Sequence, residues 1–252
     1  MPLKLIETQR LYQKVADQIA GLIREGQWAL GERLPSERDM AQELGVSRPV
    51  VREAMIALEL LGMVEVRTGA GIYVADGPVE SSVRVMEDED PGPSPFELIA
   101  ARRVIEGETA AIAALVADDR ALAGLTEAIQ KMDSDIDKGV QILSNREDGD
   151  RLFHSRIAAA SGNGVLVTLV EQLWEGMQRP IFTAICQRVR MPENARRAAG
   201  EHHRIFERIA AKDPTGARAT MHAHLDQVRD VLLMNGDSSK GGNPNDPYDN
   251  DA

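Results

Sequence analysis

The chain has 252 residues, a formal net charge of −11 and 43% hydrophobic residues. That length and apolar content suit two packed domains, and the negative charge excludes broad electrostatic capture of nucleic acid except through locally presented arginines. A single cysteine, Cys186, excludes an intrachain disulfide and, placed beside Ile185 in an apolar helical pattern, reads as a core thiol. With no apolar run of membrane-spanning length and no leader-like apolar core near Met1, the chain is expected to be soluble and cytoplasmic.

From 34 to 71 the sequence writes helix, turn, helix and hairpin in one run. Pro35 stops the preceding segment, and Ser36 followed three residues later by Asp39 is a capping-box signature that opens a helix. Met40, Ala41 and Leu44 give that helix an apolar face, and Gly45 supplies the turn. Ser47 is placed to cap a second helix whose first turn accepts Pro49. Val51, Ala54, Met55, Leu58 and Leu61 recur at helical spacing and should pack inward, while Arg48 and Arg52, four apart, share a different face. Gly62 ends the helix. Val64, Val66, Ile72 and Val74 then read as two short strands around a tip at 68–71.

A helix that offers two guanidinium groups and a hydroxyl near its N-terminus suits a major groove, where arginine pairs with guanine edges or clamps phosphates. Either arginine alone is more often a solvated surface charge. The ordered combination of cap, glycine turn, basic helix face and glycine-rich hairpin is what points to DNA.

Residues 1–78 therefore form the expected DNA-binding domain. The acidic, proline-rich stretch 79–95 has linker composition, with a short helix conceivable at 81–86. From 96 to 235 the chain reads as helical, with segments 96–117, 121–139, 147–161, 164–190, 193–211 and 214–234 punctuated by Gly, Pro or Asn, and Pro180 should kink or split the fourth. An antiparallel bundle is the natural outcome. Residues 236–252 are almost free of apolar side chains and cannot bury a core, so they are expected to be a disordered tail. Neither a phosphate-binding glycine loop nor a nucleophile elbow is present.

Within the bundle, Asp150 and His154 lie four apart and project from one helix face beside Leu152, Phe153 and Ile157. His202 continues the apolar row of Ile205, Phe206 and Ile209, whereas His203 is turned away by about 100°. His224 lies with Met221, Leu225 and Val228, whereas His222 points elsewhere. Three buried imidazoles and a carboxylate are costly to leave unpaired, and a divalent metal would satisfy them together. The alternative is an Asp150–His154 surface pair, with His202 and His224 hydrogen-bonded separately. Spacing alone leaves both open.

The first part of the chain resembles the GntR family of bacterial winged-helix regulators. The resemblance is carried by G-x-x-L-P-S-E-R at Gly31 to Arg38, V-S-R-x-x-V-R-E-A at Val46 to Ala54, and the G-x-G tip at Gly69 and Gly71. It implies that Arg38, Arg48 and Arg52 contact phosphates and guanine, that Ser47, Pro49 and Val50 approach the DNA, and that Thr68 and Gly69 make the wing contact. It also implies a first helix from about Tyr12 to Glu25, with Val15, Ile19, Leu22 and Ile23 inside.

Residues 96–234 resemble the FCD ligand-binding domain of the FadR subfamily. The matching patterns are Arg102 to Glu106, Asp150 to His154, Ser161 to Asn163, Glu201 to Ile205, and His224 with Leu225. This resemblance implies that Asp150, His154, His202 and His224 bind zinc, nickel or a similar ion with positions left open for water or a ligand carboxylate. It implies that Arg102 meets that carboxylate, although Arg102 is also spaced to pair with Glu106 on its own helix.

The expected fold is mainly α: an N-terminal winged helix-turn-helix plus a C-terminal antiparallel all-helical bundle. The expected function is that of a homodimeric regulator, in this family most often a repressor, that binds a double-stranded operator and responds to a small organic acid. The segment 92–108 looks like branches that sense sugar acids such as hexuronates. Two other readings remain: a regulator for which the metal itself is the signal, and a metalloenzyme.

Overall fold

The computed structural model describes residues 10–67, 70–75, 92–138, 149–188 and 192–234. Thr68, Gly69, most of the expected linker and the expected tail lie outside the described residues. The fold is mainly α, a winged helix followed by an all-helical bundle. Among the described residues no helix is long and apolar enough to cross a membrane.

The winged helix comprises α1 (Leu11–Arg24), α2 (Glu37–Leu44), α3 (Arg48–Leu60), β1 (Val64–Arg67) and β2 (Gly71–Val74). At the head of α2 the Ser36 hydroxyl accepts from Asp39 N at 3.2 Å and donates to the Asp39 carboxylate at 2.7 Å. Gly45 closes α2 with φ +66°, a left-handed conformation that disfavours any side chain with a Cβ. Ser47 occupies the N-cap position of α3, but its side chain makes no cap hydrogen bond; Pro49 in the first turn sets the entry instead. The hairpin pairs Val64 with Val74 and Arg67 with Gly71. A third extended run, invisible in the hydrophobic pattern, lies along β2: Leu34 N donates to Ile72 O at 2.8 Å and Val74 N to Glu32 O at 2.9 Å.

The bundle comprises α4 (Pro95–Val116), α5 (Asp119–Asp137), α6 (Gly149–Ala160), α7 (Gly164–Gly176), α8 (Pro180–Arg188), α9 (Pro192–Ala210) and α10 (Pro214–Met234). The segment read as 164–190 is indeed split, with Pro180 opening α8. Long α4 lies along α10 and also meets α6, α7 and α9, so it is the central helix. Phe153, Ile157, Ile181, Phe182, Ile205, Ile209, Met221 and Leu225 fill the surrounding core. Cys186 is half-buried and packs against that core. Close approach of α6 to α5 depends on Gly149, because a Cβ there would lie 2.5 Å from Met132 N.

Candidate metal centre and nucleic-acid interface

Four helices converge on one polar cluster inside the bundle. α6 supplies Asp150 and His154, α9 supplies His202, α10 supplies His224, and α4 runs past with Arg102 and Glu106. His154, His202 and His224 are all buried, and each offers a nitrogen within 4.8 Å of the others. His154 Nε2 lies 3.1 Å from His202 Nε2, and Asp150 Oδ1 lies 3.3 Å and 3.1 Å from those two nitrogens. A tetrahedral ion with nitrogen or oxygen ligands at about 2.0–2.1 Å spaces them about 3.3 Å apart, so this donor set fits a divalent metal. The rings of His202 and His224 are 4.4 Å apart, and those of His154 and His224 are 5.5 Å apart.

Carboxylates hold the far side of two of the imidazoles. Glu106 accepts the Nδ1 hydrogen of His154, and Glu201 accepts that of His224 at 2.8 Å. Such partners fix the tautomer and turn each Nε2 lone pair inward. Burial pushes the Glu106 carboxyl up, but the charges of Arg102 and His154 overcome it and hold it down at about 2. Burial, then the neighbouring His202 and His154, pushes His224 well below its ordinary value; burial likewise lowers His202 despite the pull of Asp150. Both rings are therefore neutral near pH 7, the form that binds a metal. His154 moves the other way: burial lowers it, but Glu106 and Asp150 raise it further.

Arg102 is 2% exposed and committed to Glu106, with Nε to Oε1 at 2.6 Å. Its guanidinium also stacks 4.4 Å from the Trp174 ring. Among the described residues the Trp174 indole N–H and His202 Nδ1 have no hydrogen-bond partner. Burying such donors is costly unless an acceptor reaches them.

The histidines excluded by helical phase lie elsewhere. His203 is exposed and pairs with Asp133 at 3.2 Å, and His222 is half-buried against Gly107. The sequence pattern offers Glu106 only a pairing with Arg102 and offers Glu201 and Trp174 no role. The Arg102–Glu106 spacing was a signal for the first, but Glu201 adjoins His202 in sequence and serves His224 on another helix, which no local pattern shows.

On the winged helix, Arg38, Ser47 and Arg48 are exposed, and Pro49 and Val50 are half-buried. Arg52 departs from the expectation of a face shared with Arg48. It is 6% exposed, bound to Glu37 at 2.7 Å and to the carbonyls of Leu232 and Leu233 at the end of α10. Its neighbour Glu53 is also buried, accepting from the Ser94 hydroxyl and from Phe96 N at 3.5 Å. Burial drives the Glu53 carboxyl up to about 7, against the lowering effect of those two bonds.

Two family profiles match this chain: bacterial regulatory proteins of the gntR family over residues 11–74, and the FCD domain over residues 97–227. A Uxu operon transcriptional regulator of Escherichia coli (strain K12) is 36% identical over 229 residues, covering 89% of this chain and 88% of that protein. An Exu regulon transcriptional regulator from the same strain is 33% identical over 237 residues, covering 92% and 88%. A Uxu operon regulator of Haemophilus influenzae is 31% identical over 227 residues, covering 89% and 82%. Members of this family are DNA-binding regulators and not enzymes, which removes the metalloenzyme reading. The chain belongs to the GntR family of bacterial transcriptional regulators and carries an FCD-type C-terminal domain.

Proposed function

We propose that this chain is an acid-responsive repressor of the FadR subfamily, acting in the cytoplasm as a homodimer on a pseudo-palindromic operator. A divalent ion, zinc or nickel, is held by Asp150, His154, His202 and His224. Bound there, the ion would supply a Lewis acid for a small carboxylate. The observation that carries this reading is the mutual spacing of the Asp150, His154 and His202 donors, with His224 close by, inside a bundle where no polar group is cheap to bury.

A sugar acid is the proposed effector, following the resemblance of segment 92–108 to branches that sense sugar acids. Arg102 receives its carboxylate by sharing or exchanging Glu106, and Trp174 offers an indole donor beside it. Arg38, Ser47, Arg48, Pro49, Val50, Arg52, Thr68 and Gly69 make up the DNA contacts.

The test is metal analysis of the purified chain, followed by thermal-shift titration with D-glucuronate and D-galacturonate, with and without chelator. The reading requires one bound ion per chain and acid stabilisation that chelator abolishes. Stabilisation by acid that survives full metal removal would refute it, and release of DNA by metal alone would make the ion the signal.

A further inference from the structure

Helix α3, the proposed recognition helix, is enclosed over its middle turns. Residues Val51 to Leu58 of α3 are buried without a break, more than two full turns, although an amphipathic helix on the surface keeps one side in water. One side packs on α1, and α8 contributes to the other. The two charged residues in that span, Arg52 and Glu53, each meet the end of a bundle helix.

Arg52 donates to the carbonyls of Leu232 and Leu233 in the last described turn of α10. Glu53 accepts from Ser94 and Phe96 at the start of α4, where amides are unsatisfied and the dipole is positive. Adjacent polar residues of α3 thus engage two different bundle helices. Alongside, Ser47, Pro49 and Val50 line a groove of about 340 Å³ whose far wall includes Phe96 and Glu97 of α4. A duplex phosphate cannot reach a guanidinium that is buried and already bound to Glu37 and two carbonyls.

We infer that Arg52 and Glu53 form an autoinhibitory clasp, in which the ends of α4 and α10 compete with operator DNA for the recognition helix. The inference rests on the acid-responsive reading above and supplies its mechanics. α10 carries His224 eight residues before Leu232, and α4 carries Arg102 eight residues after Ser94, each a span of about 12 Å of continuous helix. Both helices that close the clasp therefore pass through the metal centre. Occupation of that centre shifts operator affinity by stabilising the clasped state over the open one.

The test uses the full-length, zinc-loaded chain and a duplex that the wild-type chain has selected from a random-sequence pool. Ser94→Ala removes the donor to Glu53 together with the N-cap acceptor of α4, and Leu232→Lys buries a cation in the stretch of α10 whose carbonyls Arg52 binds; neither residue belongs to the proposed DNA contacts or metal ligands. Without acid, Ser94→Ala should bind the duplex about tenfold more tightly than wild type, the size of one lost hydrogen bond. Leu232→Lys should exceed that, with a larger radius of gyration in solution scattering. Should Leu232→Lys fail to retain metal, Ser94→Ala decides alone. Wild-type affinity in Ser94→Ala with full metal content overturns the clasp. Tighter binding by Ser94→Ala, together with no response of the wild type to D-glucuronate or D-galacturonate, upholds the clasp and counts against the acid reading alone.

Discussion

The winged helix and the metal centre handle polar groups in opposite ways. In the winged helix, Arg38, Ser47 and Arg48 stay at the surface, where water reaches them. In the bundle, Glu106, His154, His202 and His224 are all buried, and each reaches at least one residue of another helix. Arg52 and Glu53 are the exceptions: they sit in the recognition helix yet behave like bundle residues, buried and matched across the junction. A change in a solvated arginine costs contact with a partner, whereas a change in a buried set leaves its remaining members unsatisfied.

The largest expected effect lies in the metal centre. Removing the ion with chelator should cost about 4 kcal/mol of stability for a chain held at a metal concentration a thousandfold above its dissociation constant. His202→Ala should reproduce that loss and His203→Ala should not; equal metal content in the two variants, read by atomic absorption, would break the contrast between buried and exposed histidines.

Next comes the pH dependence of the junction. The folded-state value of Glu53 is raised from 4.5 to about 7, so its protonated form is favoured in the native state. The stabilisation is complete below pH 4.5 and is lost as pH rises through about 7, with a span of roughly 3 kcal/mol. The groups facing it are Ser94, the Phe96 amide and Glu97, with Glu97 adding to the upward shift. Urea melts of the wild type against Glu53→Gln across that window should diverge toward neutral pH. Parallel curves would show that Glu53 titrates as a surface carboxylate.

The two arginines of α3 sharpen the comparison further. Arg48→Ala should weaken operator binding by about 2 kcal/mol, and Arg52→Ala by less, because it removes a proposed DNA contact and opens the clasp together. Arg52→Ala should lower the thermal midpoint more than Arg48→Ala, because it strips Glu37 and the end of α10 of their cation. Identical melting of the two variants would place Arg52 with the solvated residues after all. The smallest effect is expected at Glu106→Gln, which leaves every proposed ligand in place but weakens the hold on His154 Nδ1; metal affinity should fall at least about tenfold. Unchanged affinity, measured by competition with a chromophoric chelator, would reduce Glu106 to a partner of Arg102.

Much of this molecule was legible in one dimension. Ser36, Gly45, Pro49 and Gly62 mark element ends through backbone geometry and local hydrogen bonds, which depend on a few neighbouring residues. Helical phase separated His202 from His203 because the 3.6-residue period is a property of the helix alone. Pro180 announced the break between α7 and α8 through its missing N–H. Tertiary structure decided what those elements meet. Glu201 reaching His224, Glu106 reaching His154, the extended run at 32–34 beside β2, and Arg52 and Glu53 closing on the ends of α10 and α4 all join residues distant in the chain. The physical reason is that periodicity determines the direction in which a side chain leaves its own helix, whereas the partner waiting there depends on how whole helices pack.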